Sequence, residues 1–222
     1  MKVLMINGSP HKNGCTYTAL NIIAEELKAQ GVGSEIVWLG NGPVRGCIGC
    51  GGCKKSGKDR CIFGDDGVAD IAEKCKTADG YIFGAPVHYA SPNGATVAAL
   101  DRIFYSAGKY MQFKPAASIV SARRAGTTAS YDVLNKYIGI NNMLMVPASY
   151  WNMVHGNTPE EVMQDREGVS VMRGIGSNMA WLLKLLASAK GGELEKPVVV
   201  PKERTNFIPV SYTHLRAHET RR

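Results

Sequence analysis

The sequence predicts a doubly wound α/β domain, a parallel sheet of five strands with helices on both faces. Three observations predict it. Apolar strand-like runs alternate along the chain with amphipathic helical patterns, as successive βαβ units require. The first run, Lys2–Ile6, passes directly into a loop of small and polar residues that opens a helix. The composition, 45% hydrophobic and 20% charged over 222 residues, is enough to bury a sizeable core.

Lys2–Ile6 is the first predicted strand. The loop Asn7–Cys15 leads to a helix whose apolar face is Leu20, Ile23, Ala24 and Leu27, with Gly31 as its expected stop. Glu35–Leu39 is the second strand. From Gly40 to about Gly64 the chain is rich in glycine and cysteine, has neither helical nor strand period, and reads as an insert. Asp66–Cys75 is a short helix and Gly80–Ala85 the third strand. Ala95–Ala107 is helical, with Val97, Leu100 and Phe104 on one face. Ala117–Ser121 is the fourth strand, Tyr131–Ile140 a helix and Met143–Val146 the fifth strand. Val169–Ala189 is a long helix carrying Trp181, Leu182, Leu185 and Leu186. Tyr150–Arg166 shows no regular pattern and is expected as a loop over the active site. Right-handed crossovers leave few ways to arrange these units. No internal repeat or domain boundary is visible.

The formal charge of +7 is scattered. Lys54, Lys55, Lys58 and Arg60 form one group, Arg123 and Arg124 another. Neither is a long basic run interleaved with aromatics, so both point to phosphate-bearing small molecules rather than nucleic acid. No apolar run reaches the roughly 18 residues of a membrane span. Met1–Ile6 is too short for a secretory signal, and the cytoplasm is the expected compartment. From Val210 to Thr220 the chain resembles a translated adapter or vector sequence. Residues 209–222 therefore read as a non-native tail on a domain of residues 1–208. A genuine basic tail is the alternative, and from Ser211 on the tail carries +2 of the net charge.

The loop Asn7-Gly8-Ser9-Pro10-His11-Lys12-Asn13-Gly14-Cys15-Thr16 joins a strand to a helix. Hydroxyl and amide groups there can bond phosphate oxygens, and a helix N-terminus adds unpaired N–H groups and a favourable dipole. The P-loop pattern G-x-x-x-x-G-K-[ST] is absent, and so is the dinucleotide fingerprint G-x-G-x-x-G. A tight turn with Thr16 as helix N-cap is the competing reading.

Three stretches resemble the NADPH-dependent FMN reductase and iron–sulfur flavoprotein families, which are flavodoxin-like. They are Gly8-Ser9-Pro10-His11-Lys12-Asn13-Gly14; Gly84-Ala85-Pro86-Val87-His88-Tyr89 with Leu100-Asp101-Arg102; and Ser121-Ala122-Arg123-Arg124-Ala125-Gly126. Each follows a predicted strand, so all fall at the carboxyl edge of the sheet, where such folds bind FMN. The resemblance runs from Met1 to about Phe207 and departs at His11, where the family has Arg. It implies that Ser9, His11, Asn13, Gly14, Cys15 and Thr16 surround the FMN phosphate. Pro86, Val87, His88 and Tyr89 would lie along the isoalloxazine ring, with Ser121, Ala122, Arg123 and Gly126 closing its other side. FMN supplies hydride and electron chemistry itself, so no catalytic nucleophile is nominated, and no Ser/His/Asp or Cys/His set is found. Trp151 and His155 either face the flavin or anchor a loop, Cys15 reads as a small filler and Cys75 as a buried helix residue.

Cys47, Cys50, Cys53 and Cys61 read C-x₂-C-x₂-C-x₇-C on one irregular loop. In a reducing compartment such clustering argues against disulfides and for a metal or an iron–sulfur cluster. Gly46, Gly49, Gly51 and Gly52 leave the backbone free to wrap. The spacing resembles the compact motif of iron–sulfur flavoproteins, which implies a [4Fe–4S] cluster passing electrons to FMN; zinc and an empty loop stay open. Three functions follow: an NAD(P)H-dependent reductase of flavin, quinone or nitro/azo acceptors, an electron carrier fed by ferredoxin, or a zinc-stabilised binding module. The family resemblance also implies a homo-oligomer, a dimer.

Overall fold

The fold is that of a computed structural model, which describes residues 1–189, 195 and 197–201. In chain order its elements are β1 (Lys2–Asn7), α1 (Cys15–Ala29), β2 (Gly33–Trp38), α2 (Gly52–Lys55), α3 (Val68–Thr77), β3 (Gly80–His88), β4 (Ser91–Pro92), α4 (Gly94–Ala107), β5 (Pro115–Ala122), α5 (Thr127–Ile140), β6 (Leu144–Met145), β7 (Met153–His155), α6 (Pro159–Gln164) and α7 (Arg166–Ser188). A short 3₁₀ turn, Gly108–Tyr110, follows α4.

The strand order is β2-β1-β3-β5-β6, all parallel, with β7 also paired to β5 and β4 folded back antiparallel on the end of β3. Side chains alternate across the central strands, and this alternation builds two cores. Leu4, Ile6, Tyr81, Phe83, Ala116 and Val120 pack with α3, α4 and α5 on one face. Val3, Met5, Ile82, Ala117 and Ile119 pack with α1 and α7 on the other. Because β1, β3 and β5 are covered on both faces, their sequences are continuous apolar runs, which is why they were legible as buried strands. Each large aliphatic side chain so buried contributes roughly 1.5–3 kcal/mol.

The five-strand parallel sheet is as expected, with one division: the fifth position is shared by β6, against the start of β5, and β7, against its end. The expectation of an irregular Tyr150–Arg166 is therefore corrected. That interval holds β7, all of α6 and the start of α7. Three strand residues and six helical ones are too few to display a period; they are held by pairing with β5 and by caps. Thr158 accepts from the Glu161 amide at α6, and Asp165 accepts from the Gly168 amide at 2.9 Å to start α7. The cysteine insert likewise contains one turn of helix, α2, where none was expected. Thr16 is not the N-cap of α1. Gly14 is, and it offers no side-chain cap.

Residues 1–191 form one compact unit. In the second, 192–222, the described residues carry no helix or strand, and the tail 209–222 lies outside the described residues. No helix among the described residues is long and apolar enough to cross a membrane.

Candidate functional site

The β1–α1 loop is shaped from beneath by groups that leave its upper face free. The Asn7 side chain accepts from the Ser9 amide at 3.1 Å and donates to the Lys12 carbonyl at 3.0 Å. Trp38, at the end of β2, donates its indole N–H to the Ser9 carbonyl at 2.8 Å, and the Lys12 ammonium lies 5.8 Å from the centre of that ring. The Gly8 amide bonds the Gly84 carbonyl at 2.9 Å, and Asn93 donates to the Gly8 carbonyl at 2.7 Å. Gly8 cannot be replaced here: a Cβ would overlap the Thr96 hydroxyl and lie 3.0 Å from the Gly84 carbonyl. The first helical amide with an acceptor is that of Thr18, bonded to Gly14. Those of Cys15, Thr16 and Tyr17 have no backbone or side-chain cap acceptor among the described residues, so the first turn leaves its N–H groups at the positive end of α1. That is the donor set an oxyanion requires.

The three loops expected at the carboxyl edge converge, and specific contacts join each pair. The first meets the second through Gly8 and Gly84. It meets the third through Thr16 and Ser121, whose buried hydroxyl oxygens are 2.7 Å apart. The second meets the third where Gly126 (φ +89°) lies so near Val87 that a Cβ would come within 2.8 Å of that side chain. Ser9, Thr16, Ser121 and Ala122 are buried, while Gly14, Cys15, Pro86, Val87 and Gly126 are partly exposed. His11, Asn13, His88, Tyr89 and Arg123 are exposed. Tyr89 stands at the tip of the β3–β4 turn with φ +57°, wholly in solvent. Neither Arg123 nor Arg124 makes an ion pair among the described residues, so both charges stand free at the edge of the cleft. Cys15 lies 3.5 Å from the Gly156 carbonyl, and its burial pushes the thiol up. The backbone amide of His155 donates to Asp165 at 2.7 Å, which ties the end of β7 to the cap of α7.

The insert brings Cys47, Cys50, Cys53 and Cys61 to the wall of one cavity of about 160 Å³, with Arg102 and Tyr105 of α4 behind it. Cys47 and Cys50 are exposed, and all four are free thiols. The Gly49 amide donates to the Cys47 sulfur at 3.5 Å and the Gly52 amide to that of Cys50 at 3.4 Å. Among the described residues no three Cys, His, Asp or Glu side chains gather closely enough for a single metal ion. A four-iron cluster holds its thiolates farther apart than one ion does. Four sulfurs around one cavity, two of them receiving backbone amides, are a donor set of the kind such clusters use.

Several supports of this site were not foreseen. Asn7, Trp38, Asn93 and Thr96 shape the β1–α1 loop, and their only sequence signal is a hydrogen-bonding side chain at a strand end, a helix cap or a first helical turn. Arg102 was grouped with the second flavin stretch; it lies instead two turns into α4, facing the cysteine insert. Of the basic group on the insert, Arg60 is paired with Asp70 at 2.7 Å, while Lys54 and Lys55 are exposed.

A doubly wound sheet with three convergent loops at the β1/β3 switch point, one ending at the N-terminus of α1, defines a flavodoxin-like fold. The chain belongs to the NADPH-dependent FMN reductase family, whose sequence profile it matches over residues 1–158. It is 31% identical over 198 residues to an iron–sulfur flavoprotein of Methanocaldococcus jannaschii, spanning 84% of this chain and 99% of that one. Two solved structures share the fold. RosB with bound 8-demethyl-8-formylriboflavin-5′-phosphate superposes with a TM-score of 0.66 at 14% identity, over 93% of this chain and 95% of that one. A flavodoxin from the domain Archaea superposes with a TM-score of 0.56 at 12% identity, over 83% and 99%. The protein is thus an NAD(P)H-dependent oxidoreductase of the FMN type.

Proposed function

We propose that this oxidoreductase carries two redox groups, FMN across the three loops and a [4Fe–4S] cluster on Cys47, Cys50, Cys53 and Cys61. It would pass electrons, in either direction, between a nicotinamide and a one-electron carrier such as a ferredoxin. The observation that carries this reading is the convergence of all four cysteines on one cavity. The M. jannaschii relative bears the name iron–sulfur flavoprotein, which supports it.

The free amides of Cys15, Thr16 and Tyr17 would hold the FMN phosphate. Ser9 would add its hydroxyl proton, since its oxygen already accepts from the His11 amide at 3.1 Å. Gly14 would give close approach, with His11 and Asn13 on the rim. Pro86, Val87, His88 and Tyr89 would flank one side of the ring, and Ser121, Ala122, Arg123 and Gly126 the other. FMN, when bound, supplies hydride acceptance and single-electron release. The chain's part is to bind and orient the ring and to keep positive charge, Arg123 and Arg124, beside anionic ligands. The cytoplasm is the compartment in which the four thiols would stay reduced.

The exposed rim of His88, Tyr89 and Arg123 favours a second reading, direct reduction of a flavin, quinone or nitro/azo acceptor reaching the ring from solvent. We also propose a homodimer, because Tyr89, Tyr150 and Trp151 leave exposed aromatic surface for a second copy to cover. Light scattering at micromolar concentration reads that directly.

Anaerobic purification after expression with iron tests the main reading. It expects one FMN and about four irons per chain. FMN alone, or a colourless protein with zinc, would refute the cluster. Bleaching by NADPH and by reduced ferredoxin, compared side by side, then separates reductase from carrier.

A further inference from the structure

Helix α4 lies in the core through Leu100, Ile103 and Ala107, and amid this apolar surface Arg102 is only 1% exposed. A buried guanidinium is costly unless its donors are met. Here they are met entirely by the cysteine insert and its end. Nε donates to the Cys61 sulfur at 3.3 Å; Nη1 donates to the Arg45 carbonyl at 3.1 Å and to Asp66; Nη2 donates to the Phe63 carbonyl and to Asp66, each at 2.9 Å. The Phe63 ring centre lies 5.5 Å from the guanidinium. One side chain therefore ties residues 45, 61, 63 and 66 to the helix.

Its contact with sulfur distinguishes Cys61 from the other three. Cys47 and Cys50 receive neutral backbone donors, and Cys53 lies 3.6 Å from the Tyr105 carbonyl. Among the described residues, only Cys61 of the four receives a charged donor, and that charge is balanced by the bidentate Asp66 carboxylate.

We propose that Arg102 is the positioning residue of the four-cysteine site, fixing the Cys61 sulfur in the cavity wall and, in balance with Asp66, setting the reduction potential of the cluster. The inference rests on the cluster reading above. Reduction adds one electron and one negative charge, with no bond made or broken. A charged donor on a ligating sulfur favours the more negative state and raises the potential; a neighbouring carboxylate lowers it. The two residues thus pull in opposite directions, which mere packing would not do.

The test is an anaerobic dithionite titration of the iron-loaded protein, with mediator dyes and the cluster's own electron-spin signal as readout. Arg102→Gln should make reduction about tenfold less favourable, a fall of ~59 mV for a one-electron couple. Asp66→Asn should raise the potential by a comparable amount, and Arg102→Lys, which keeps the charge, should fall between Arg102→Gln and the parent. Shifts of the same sign in Arg102→Gln and Asp66→Asn, or none in either, would overturn the proposal. If Arg102→Gln cannot be loaded with iron, the Asp66→Asn shift decides alone: a rise supports the proposal, while a fall or no change overturns it. A parent that retains FMN but never holds four irons overturns the cluster reading itself, and this inference with it.

Discussion

Thr16 and Ser121 offer a measurable test of how the cleft is held together. Their hydroxyls are 2.7 Å apart, and the residues are only 1% and 3% exposed, so the bond crosses from the first turn of α1 to the end of β5 in a dry environment. Thr16→Val keeps the shape and removes the hydroxyl, leaving Ser121 without its partner. A buried polar group so orphaned costs roughly 1–3 kcal/mol. At about 2–4 °C per kcal/mol for a domain of this size, the FMN-free protein should melt roughly 2–12 °C lower. Ser121→Ala should cost a comparable amount, because it leaves the buried Thr16 hydroxyl without its partner in the same way. The double variant should lie near the parent, giving a coupling of about 1 kcal/mol or more. Thermal unfolding of the four proteins without FMN reads the cycle, and flavin titration reads the cofactor. If Thr16→Val melts as the parent does but binds FMN more weakly, the hydroxyl serves the ligand and the cross-link assignment is wrong.

Gly126→Ala should lose both stability and flavin retention, since it places a Cβ at φ +89° within 2.8 Å of Val87 and left-handed backbone alone costs roughly 1–2 kcal/mol; an unchanged melt would refute the close packing of the two loops. Hydrogen bonds from Lys2 and Lys74 hold the Glu35 carboxyl below the usual range. A lowered folded pKa stabilises above the unfolded value and is lost as pH falls through the folded one. Glu35→Gln should therefore melt roughly 1–4 °C lower at neutral pH, with the difference vanishing as pH falls through the lowered folded-state pKa of the carboxyl, by circular dichroism. The Cys75 thiol is fully buried and pushed up to about 12, so iron-free native protein should alkylate at Cys47 and Cys50 and not at Cys75, as peptide mass mapping would show. Truncation after Phe207 should leave melting temperature and flavin content unchanged; a loss of several degrees would show that the tail packs.

The main strands and the long helices between them were legible in the sequence alone, because β1, β3 and β5 are buried on both faces and are therefore largely apolar. The three cleft loops were legible for a related reason: each directly follows such a strand, and parallel strands put those ends at one edge. The four cysteines were legible as a group because their spacing is local. What only tertiary structure decided is whatever depends on a distant partner. β7 and α6 are too short to show a period and exist through β5 and their caps. The hydroxyl of Thr16 is directed by Ser121, 105 residues away. Arg102 reads in sequence as a charge beside a flavin stretch, yet folding turns it to the insert, 41 residues back at Cys61. A period reports which side of an element is buried; it carries no record of which polar group waits on the other side, since a single long-range hydrogen bond leaves no repeat in the chain.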